Sequence, residues 1–351
     1  MGNVGSEVVM ITGATAGVGR ATARAFARRG ARIGLIARGM DGLKATKREV
    51  EELGGEAIAL SCDVADAAAI EDAAREVEAA FGPIDIWINM AFAGVMAPFL
   101  EMSLQDYKRV TEVTYLGQVH GTMAALKRML PRNRGTIVLV GSALAYRGIP
   151  LQSAYCGAKH AIQGFQDSLR AELIHAGSKV HVSMVQLPGA NTPQFDWIKT
   201  TLPRKPKPAS APYQPEVAAD AIYYAAHARR KSVMVGFPTV QAIWGDRLFS
   251  SFLDHYLAWT GFKGQQDREM IEPGRQNNLY RPVSGDHGAH GRFDDIARNH
   301  SWQLFFNKNR MVLGAGLALM AAIALGYVGR QPSRGRLPMR RSSGLFERWL
   351  R

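Results

Sequence analysis

Between residues 8 and 235 the hydrophobic positions alternate between two patterns. Short β-branched runs with few polar interruptions fall near 8–11, 32–37, 57–61, 84–89, 136–140, 180–185 and 232–235. Apolar runs of that length predict strands covered on both faces. Longer Ala-rich stretches separate them, at 20–29, 67–80, 104–129 and 153–175, with apolar residues returning at helical spacing. Strand and crossover helix in repeated succession predict an α/β chain, a doubly wound parallel sheet of about seven strands with helices on both faces.

The alternation ceases after Val235, which places a domain boundary near residue 240 and makes 1–240 one domain. Residues 241–262 carry Ile243, Trp244, Leu248, Phe249, Phe252 and Tyr256 at helical spacing. This is an amphipathic helix that either lies on a membrane surface or docks on protein. Residues 263–310 read as a polar linker. Its His287 and His290, near Asp286, Asp294 and Asp295, are of the kind that serve as solvated or capping groups, and no metal is expected. Residues 311–329 run without a charge, roughly 28 Å at the helical rise, close to the thickness of a bilayer core. Flanked by Lys308 and Arg310 before it and Arg330, Arg334 and Arg336 after it, this segment predicts a transmembrane helix followed by a basic tail, 330–351.

Charge sharpens the picture. The formal net charge is +13, and residues 330–351 hold seven Arg against one Glu, whereas residues 1–240 hold 27 Lys/Arg against 21 Asp/Glu. A basic tail beside an apolar stretch points to anionic lipid headgroups. The chain lacks the interleaved aromatic and basic surface of a nucleic-acid binder, so no nucleic acid is expected. Cys62 and Cys156 show no paired spacing, which excludes a disulfide framework and fits a reducing compartment. The opening MGNVGSEVVMITG has no signal-peptide pattern. The expectation is a membrane-associated protein with its catalytic domain in the cytoplasm, although four Lys/Arg before the apolar segment (291–310) and six after it (330–349) vote weakly for a cytoplasmic tail.

Candidate chemistry begins directly after the first strand, at Thr12-Gly13-Ala14-Thr15-Ala16-Gly17-Val18-Gly19, which runs into a helix. Glycines there let the backbone turn tightly and bring pyrophosphate oxygens to free amides at the helix N-terminus. The spacing is G-x-x-x-G-x-G, and its position between strand and helix identifies a dinucleotide loop of Rossmann type. At the end of the second strand, where a carboxylate would hold the adenosine ribose of NAD, the chain reads Ala37-Arg38. A guanidinium in that place clamps a 2′-phosphate, so NADP(H) is the expected cofactor. Asp63, before Val64, either contacts the adenine edge or caps the next helix.

Ser142 follows the fifth strand, and Tyr155 and Lys159 stand four residues apart on one helical face. An ammonium beside a phenol, with the positive nicotinamide of an oxidised cofactor, favours phenolate. Tyr155 then exchanges a proton with the substrate oxygen during hydride transfer, and Ser142 polarises that oxygen.

Together, Thr12-Gly13-x-x-x-Gly17-x-Gly19, Asn89 after the fourth strand, Ser142, Tyr155-x-x-x-Lys159 and Pro188-Gly189-Ala190-Asn191-Thr192 resemble the short-chain dehydrogenase/reductase family, over about residues 5–240. Arg38 matches its NADP-preferring variant. The resemblance implies that Lys159 also binds the nicotinamide ribose, that the Pro188-Gly189 segment covers the nicotinamide with Thr192 reaching its carboxamide, and that Asn89 and Val64 belong to the cofactor site. It also implies a homodimer or homotetramer formed through the helices at 104–129 and 153–175. Two departures stand out: Asn89-Met90-Ala91-Phe92 replaces the family's Asn-Asn-Ala-Gly, and Thr114 stands where the family's fourth catalytic residue, an Asn that organises a proton-relay water, is expected. Reduced or rerouted proton transfer follows from that exchange.

Residues 190–215, rich in Pro and Lys with Phe195, Trp197 and Ile198, predict a substrate lid. Its apolar members and the expected anchor suggest a lipophilic alcohol or carbonyl substrate. The rival from another class is a membrane-associated scaffold or redox sensor that binds NADP(H) without turnover, which Thr114 favours and the Ser142, Tyr155, Lys159 set opposes.

Overall fold

The computed structural model describes residues 7–316 and residue 320. The chain begins with β1 (Val8–Thr12), α1 (Gly17–Ala27), β2 (Arg32–Ala37), α2 (Met40–Glu52), β3 (Glu56–Ser61), α3 (Ala67–Phe81) and β4 (Ile86–Asn89). A short β5 (Val95–Met96) precedes α4 (Leu104–Thr111), α5 (Gly117–Arg132), β6 (Thr136–Val140), α6 (Ser153–His175) and β7 (His181–Gln186). There follow α7 (Gln194–Trp197), β8 (Lys199–Thr200), β9 (Arg204–Pro206), α8 (Pro215–His227), β10 (Ser232–Met234), α9 (Phe237–Gly264), β11 (Gln266–Met270) and α10 (Trp302–Lys308).

Seven strands form one parallel sheet in the order β10-β7-β6-β4-β1-β2-β3. Both faces are buried, and the period of two explains how. In β1, Val8 and Met10 enter one core cluster while Val9 and Ile11 enter the other; in β6, Ile137 and Leu139 part from Val138 and Val140 in the same way. Phe26 of α1 and Ile222 of α8 cover one face, and Ile70 and Val77 of α3 the other. Local chemistry sets the helix ends. Asp66 caps α3 by accepting from the Ala68 and Ala69 amides, and Gly82, at φ 86°, closes it. The helix expected at 104–129 is interrupted: Glu112–Leu116 form a π-helical turn between α4 and α5.

The expected boundary near 240 does not separate compact bodies, because one compact unit runs to Phe305. The helix expected at 241–262 is longer and bends at Phe249 (φ −142°, ψ 39°). Its Trp244, Leu248, Phe252 and Trp259 are exposed. The segment after it is folded onto the body. β11 pairs antiparallel with β9, and Leu279, Ala289 and Phe293 are buried. A second unit, Phe306–Arg351, contains helical residues 310–316. Most of the apolar segment 311–329 and all of the basic tail lie outside the described residues; among the described residues no helix is long and apolar enough to cross a membrane.

Candidate active site

The chain runs from β1 to β2 and β3 on one side, then returns to β4 on the other side of β1. The crevice beyond the strand ends at that reversal is the place where such sheets take ligands. A cavity of about 460 Å³ occupies it and continues to Ser142 and Tyr155. Its floor is the loop after β1. Gly13 and Gly17 have φ of +74° and +56°, values open to glycine and strained for other residues. A Cβ at Gly19 would stand 1.9 Å from the Gly13 carbonyl oxygen, and one at Gly13 would stand 2.9 Å from the Ala91 Cα. The N-cap of α1, Ala16, supplies no side-chain bond to the first turn; the Gly17 amide donates to the Gly288 carbonyl, and the amides of Val18 and Gly19 are placed to meet a ligand such as a diphosphate. Thr15, Val18, Arg38, Asp63, Val64, Pro188, Gly189 and Thr192 also line the cavity, with Thr192 packed against Gly17. These residues fit an extended dinucleotide.

Three expected site residues are used elsewhere. Thr12 Oγ1 accepts from the Met90 and Ala91 amides at 3.0 and 3.3 Å, tying the end of β1 to the turn after β4. Asn89 is fully buried; its Oδ1 accepts from Trp87 Nε1 and its Nδ2 donates to Thr122 Oγ1, so its amide joins β4 to α5. Thr114 Oγ1 donates to the Ala93 carbonyl at 2.9 Å and accepts from the Ala93 amide at 3.0 Å. Its hydroxyl thus serves the backbone of the turn after β4, away from the cavity wall. Asp63 does not cap the next helix, whose N-cap is Asp66; it lines the cavity, one of its oxygens accepts from the Ala65 amide and the other pairs with Arg109. Arg38 is at the cavity, but its guanidinium donates to the carbonyls of Asn278 and Leu279. Burial lowers its affinity for the proton, Asp63 opposes that, and the neighbouring Arg109 adds to it.

Ser142 leaves the end of β6 in extended backbone. Tyr155 and Lys159 lie one turn apart near the start of α6. Lys159 is 2 % exposed, and its Nζ donates to the Val140 carbonyl at 2.6 Å and lies 5.5 Å from the Tyr155 ring centre. Burial pushes its amine down to about 7. The Tyr155 phenol moves the opposite way: burial raises it well above its usual range, against the opposing effect of a hydrogen bond with Ser142. Burial thus favours the neutral phenol, and the expected phenolate depends in addition on the positive nicotinamide of an oxidised cofactor. Reasoning from sequence missed two neighbours. Gln118, fully buried, donates to the same Val140 carbonyl at 3.1 Å, and Phe92 sets its ring edge on Tyr155 with centres 5.7 Å apart. The only signal for Gln118 was its spacing of one turn after Thr114. His290 bridges Glu216 and Asp294, and among the described residues no group of three or more His, Cys, Asp or Glu is arranged to hold a metal ion.

The family model described as short chain dehydrogenase matches residues 7–201, and the chain belongs to that family. It is an oxidoreductase acting on CH–OH groups. It is similar to the uncharacterized oxidoreductase YxnA of Bacillus subtilis, 29% identical over 91% of this chain and 90% of that protein. It is also similar to the D-threitol dehydrogenase of Mycolicibacterium smegmatis, 33% identical over 63% of this chain and 86% of the other. Among solved structures, a metagenomic short-chain oxidoreductase in complex with NADP aligns with TM-score 0.56 and 27% identity, over 66% of this chain and 98% of that one. Several further relatives match over little more than half of their own length.

Proposed function

We propose that the protein interconverts a lipophilic alcohol and its ketone or aldehyde with NADP(H), using Ser142, Tyr155 and Lys159. The observation that carries this reading is their convergence at the end of a cavity whose other half is a glycine-built dinucleotide groove. A nicotinamide cofactor bound there supplies or accepts the hydride. In the reducing direction Ser142 holds the carbonyl oxygen and Tyr155 passes its phenolic proton to it. Lys159, fixed by Val140, stabilises the phenolate that remains and returns a proton to it. The wall beyond Tyr155, with Phe92, Met96, Leu144, Ile149, Trp197 and Ile198, is apolar and suits a hydrophobic substrate. For NADP(H) over NAD(H), the support is Arg38 beside Arg109, two guanidiniums with Asp63 as counter-charge, a place that gains from a 2′-phosphate.

Membrane association, with the catalytic domain on the cytoplasmic side, rests in this reading on the exposed aromatic face of α9 and on the segment 311–329. Assembly as a homodimer or homotetramer is supported by exposed Met123 and Leu130 on α5 and Ile174 on α6. The testing experiment is NADPH oxidation by the full chain in detergent against hydrophobic ketones and aldehydes, with NADH in parallel and Tyr155→Phe as control. Turnover that the variant loses, and that falls with NADH, supports the reading. Tight NADPH binding without turnover of any of them overturns it in favour of a scaffold or sensor.

A further inference from the structure

The segment expected as a linker lies along the dinucleotide groove. Arg38 donates through Nη1 to the Leu279 carbonyl at 3.1 Å and through Nη2 to that of Asn278, and Arg109 Nε reaches the Leu279 carbonyl at 3.3 Å. The Leu279 side chain is fully buried in the cluster that contains Cys62, Val64 and Val113. Tyr280 donates its hydroxyl to Asp106 at 2.9 Å, and the Gly285 amide donates to Asp41 at 3.0 Å. Asp286 pairs with Arg20, and the Gly288 carbonyl accepts from the Gly17 amide of the dinucleotide loop at 3.1 Å. Opposite Arg38 and Asp63, Asn278, Pro282 and Val283 make the cavity wall. Even Gly39 reflects this approach: a Cβ there would come within 3.3 Å of Pro282.

We propose that residues 278–288 form a strap that roofs the adenosine half of the groove and has to lift for a dinucleotide to enter or leave. The inference rests on the reading of this groove as an NADP(H) site. A crevice at the edge of a doubly wound sheet is open on its outer side, and here the chain's own backbone closes it. The fastening comes from α1 through Arg20, from the end of β2 through Arg38, and from α4 through Asp106 and Arg109. Arg38 links strap and ligand. The guanidinium suited to a 2′-phosphate is held by strap carbonyls, and a phosphate is the stronger acceptor, so strap and phosphate compete for one side chain.

The test is stopped-flow mixing of the full chain with NADPH, read by nicotinamide fluorescence, beside the double variant Tyr280→Phe/Asp286→Asn. Both changes leave their former partners satisfied, since Asp106 keeps Lys199 and Arg20 keeps Glu49. Gating by the strap makes the observed binding rate level off as NADPH rises. The loosened variant releases NADPH at least about tenfold faster, equivalent to about 1.4 kcal/mol. Hydrogen exchange of residues 278–288 in the unaltered protein quickens when NADPH binds and draws Arg38 off the strap carbonyls, a readout independent of how the variant folds. A rate that climbs linearly with NADPH, with release from the variant and strap exchange both unchanged, overturns the strap and leaves the NADP(H) site standing. Failure of NADPH to bind at all overturns the functional reading and the strap with it.

Discussion

Replacing Lys159 with Met removes an ammonium that the folded, cofactor-free protein holds at a cost. Its amine sits at about 7 against an ordinary 10.5 because burial disfavours the charge. The folded value is depressed, so the unfolded chain binds the extra proton between pH 7 and 10.5, and stability rises with pH across that window. At 1.36 kcal/mol per pH unit the full gap corresponds to about 5 kcal/mol, paid at and below pH 7. Between pH 7 and 9 the unaltered protein should gain about 2 kcal/mol relative to Lys159→Met, equivalent to about 3–4 °C in midpoint for a body of this size. The window stops short of pH 10 because the raised Tyr155 phenol acts in the opposite sense above its unfolded value. The assay is urea unfolding of both proteins without cofactor at pH 7, 8 and 9. Stability curves that run parallel across those pH values would refute the claim that burial discharges Lys159.

The remaining expectations address other links. Tyr155→Phe should lower kcat by about 10²–10⁴ while fluorescence titration finds NADPH affinity nearly intact, since the lost group only moves a proton. Arg38→Ala should weaken NADPH binding about tenfold or more and leave NADH binding within a few-fold, because only the former carries the 2′-phosphate; isothermal titration compares the two. His290, raised by Glu216 and Asp294, should stabilise the protein below pH 6.5 and lose that contribution as pH climbs through its folded value. Its effect, opposite in direction to that of Lys159 and small because the pair is exposed, is read by thermal unfolding of His290→Gln at pH 5.5 and 8. Phe252→Ser with Trp259→Ser should lower the fraction of protein that sediments with phosphatidylcholine/phosphatidylglycerol vesicles about tenfold or more if α9 lies on the lipid surface.

What the sequence determined by itself is the part governed by local periodicity and local chemistry. Runs buried on both faces gave seven strands, and β2, β6 and α6 have the bounds that the pattern predicts. Gly13 and Gly19 were readable because a left-handed φ or a close backbone approach admits no other residue. Tyr155 and Lys159 were readable because a helical turn fixes their separation. Tertiary structure decided what depends on partners distant in the chain. Thr12 and Asn89 carry the right groups in the right places, yet Thr12 accepts from the Met90 amide and Asn89 donates to Thr122, and no local rule ranks those partners above a ligand. The ionisation of Tyr155 and Lys159 follows from how much protein surrounds them, and their spacing is silent on that. Residues 278–288 are polar enough to read as a linker. What holds them is mostly backbone carbonyls and amides meeting Arg38, Asp41 and Gly17, groups that every sequence possesses and only a folded chain can aim.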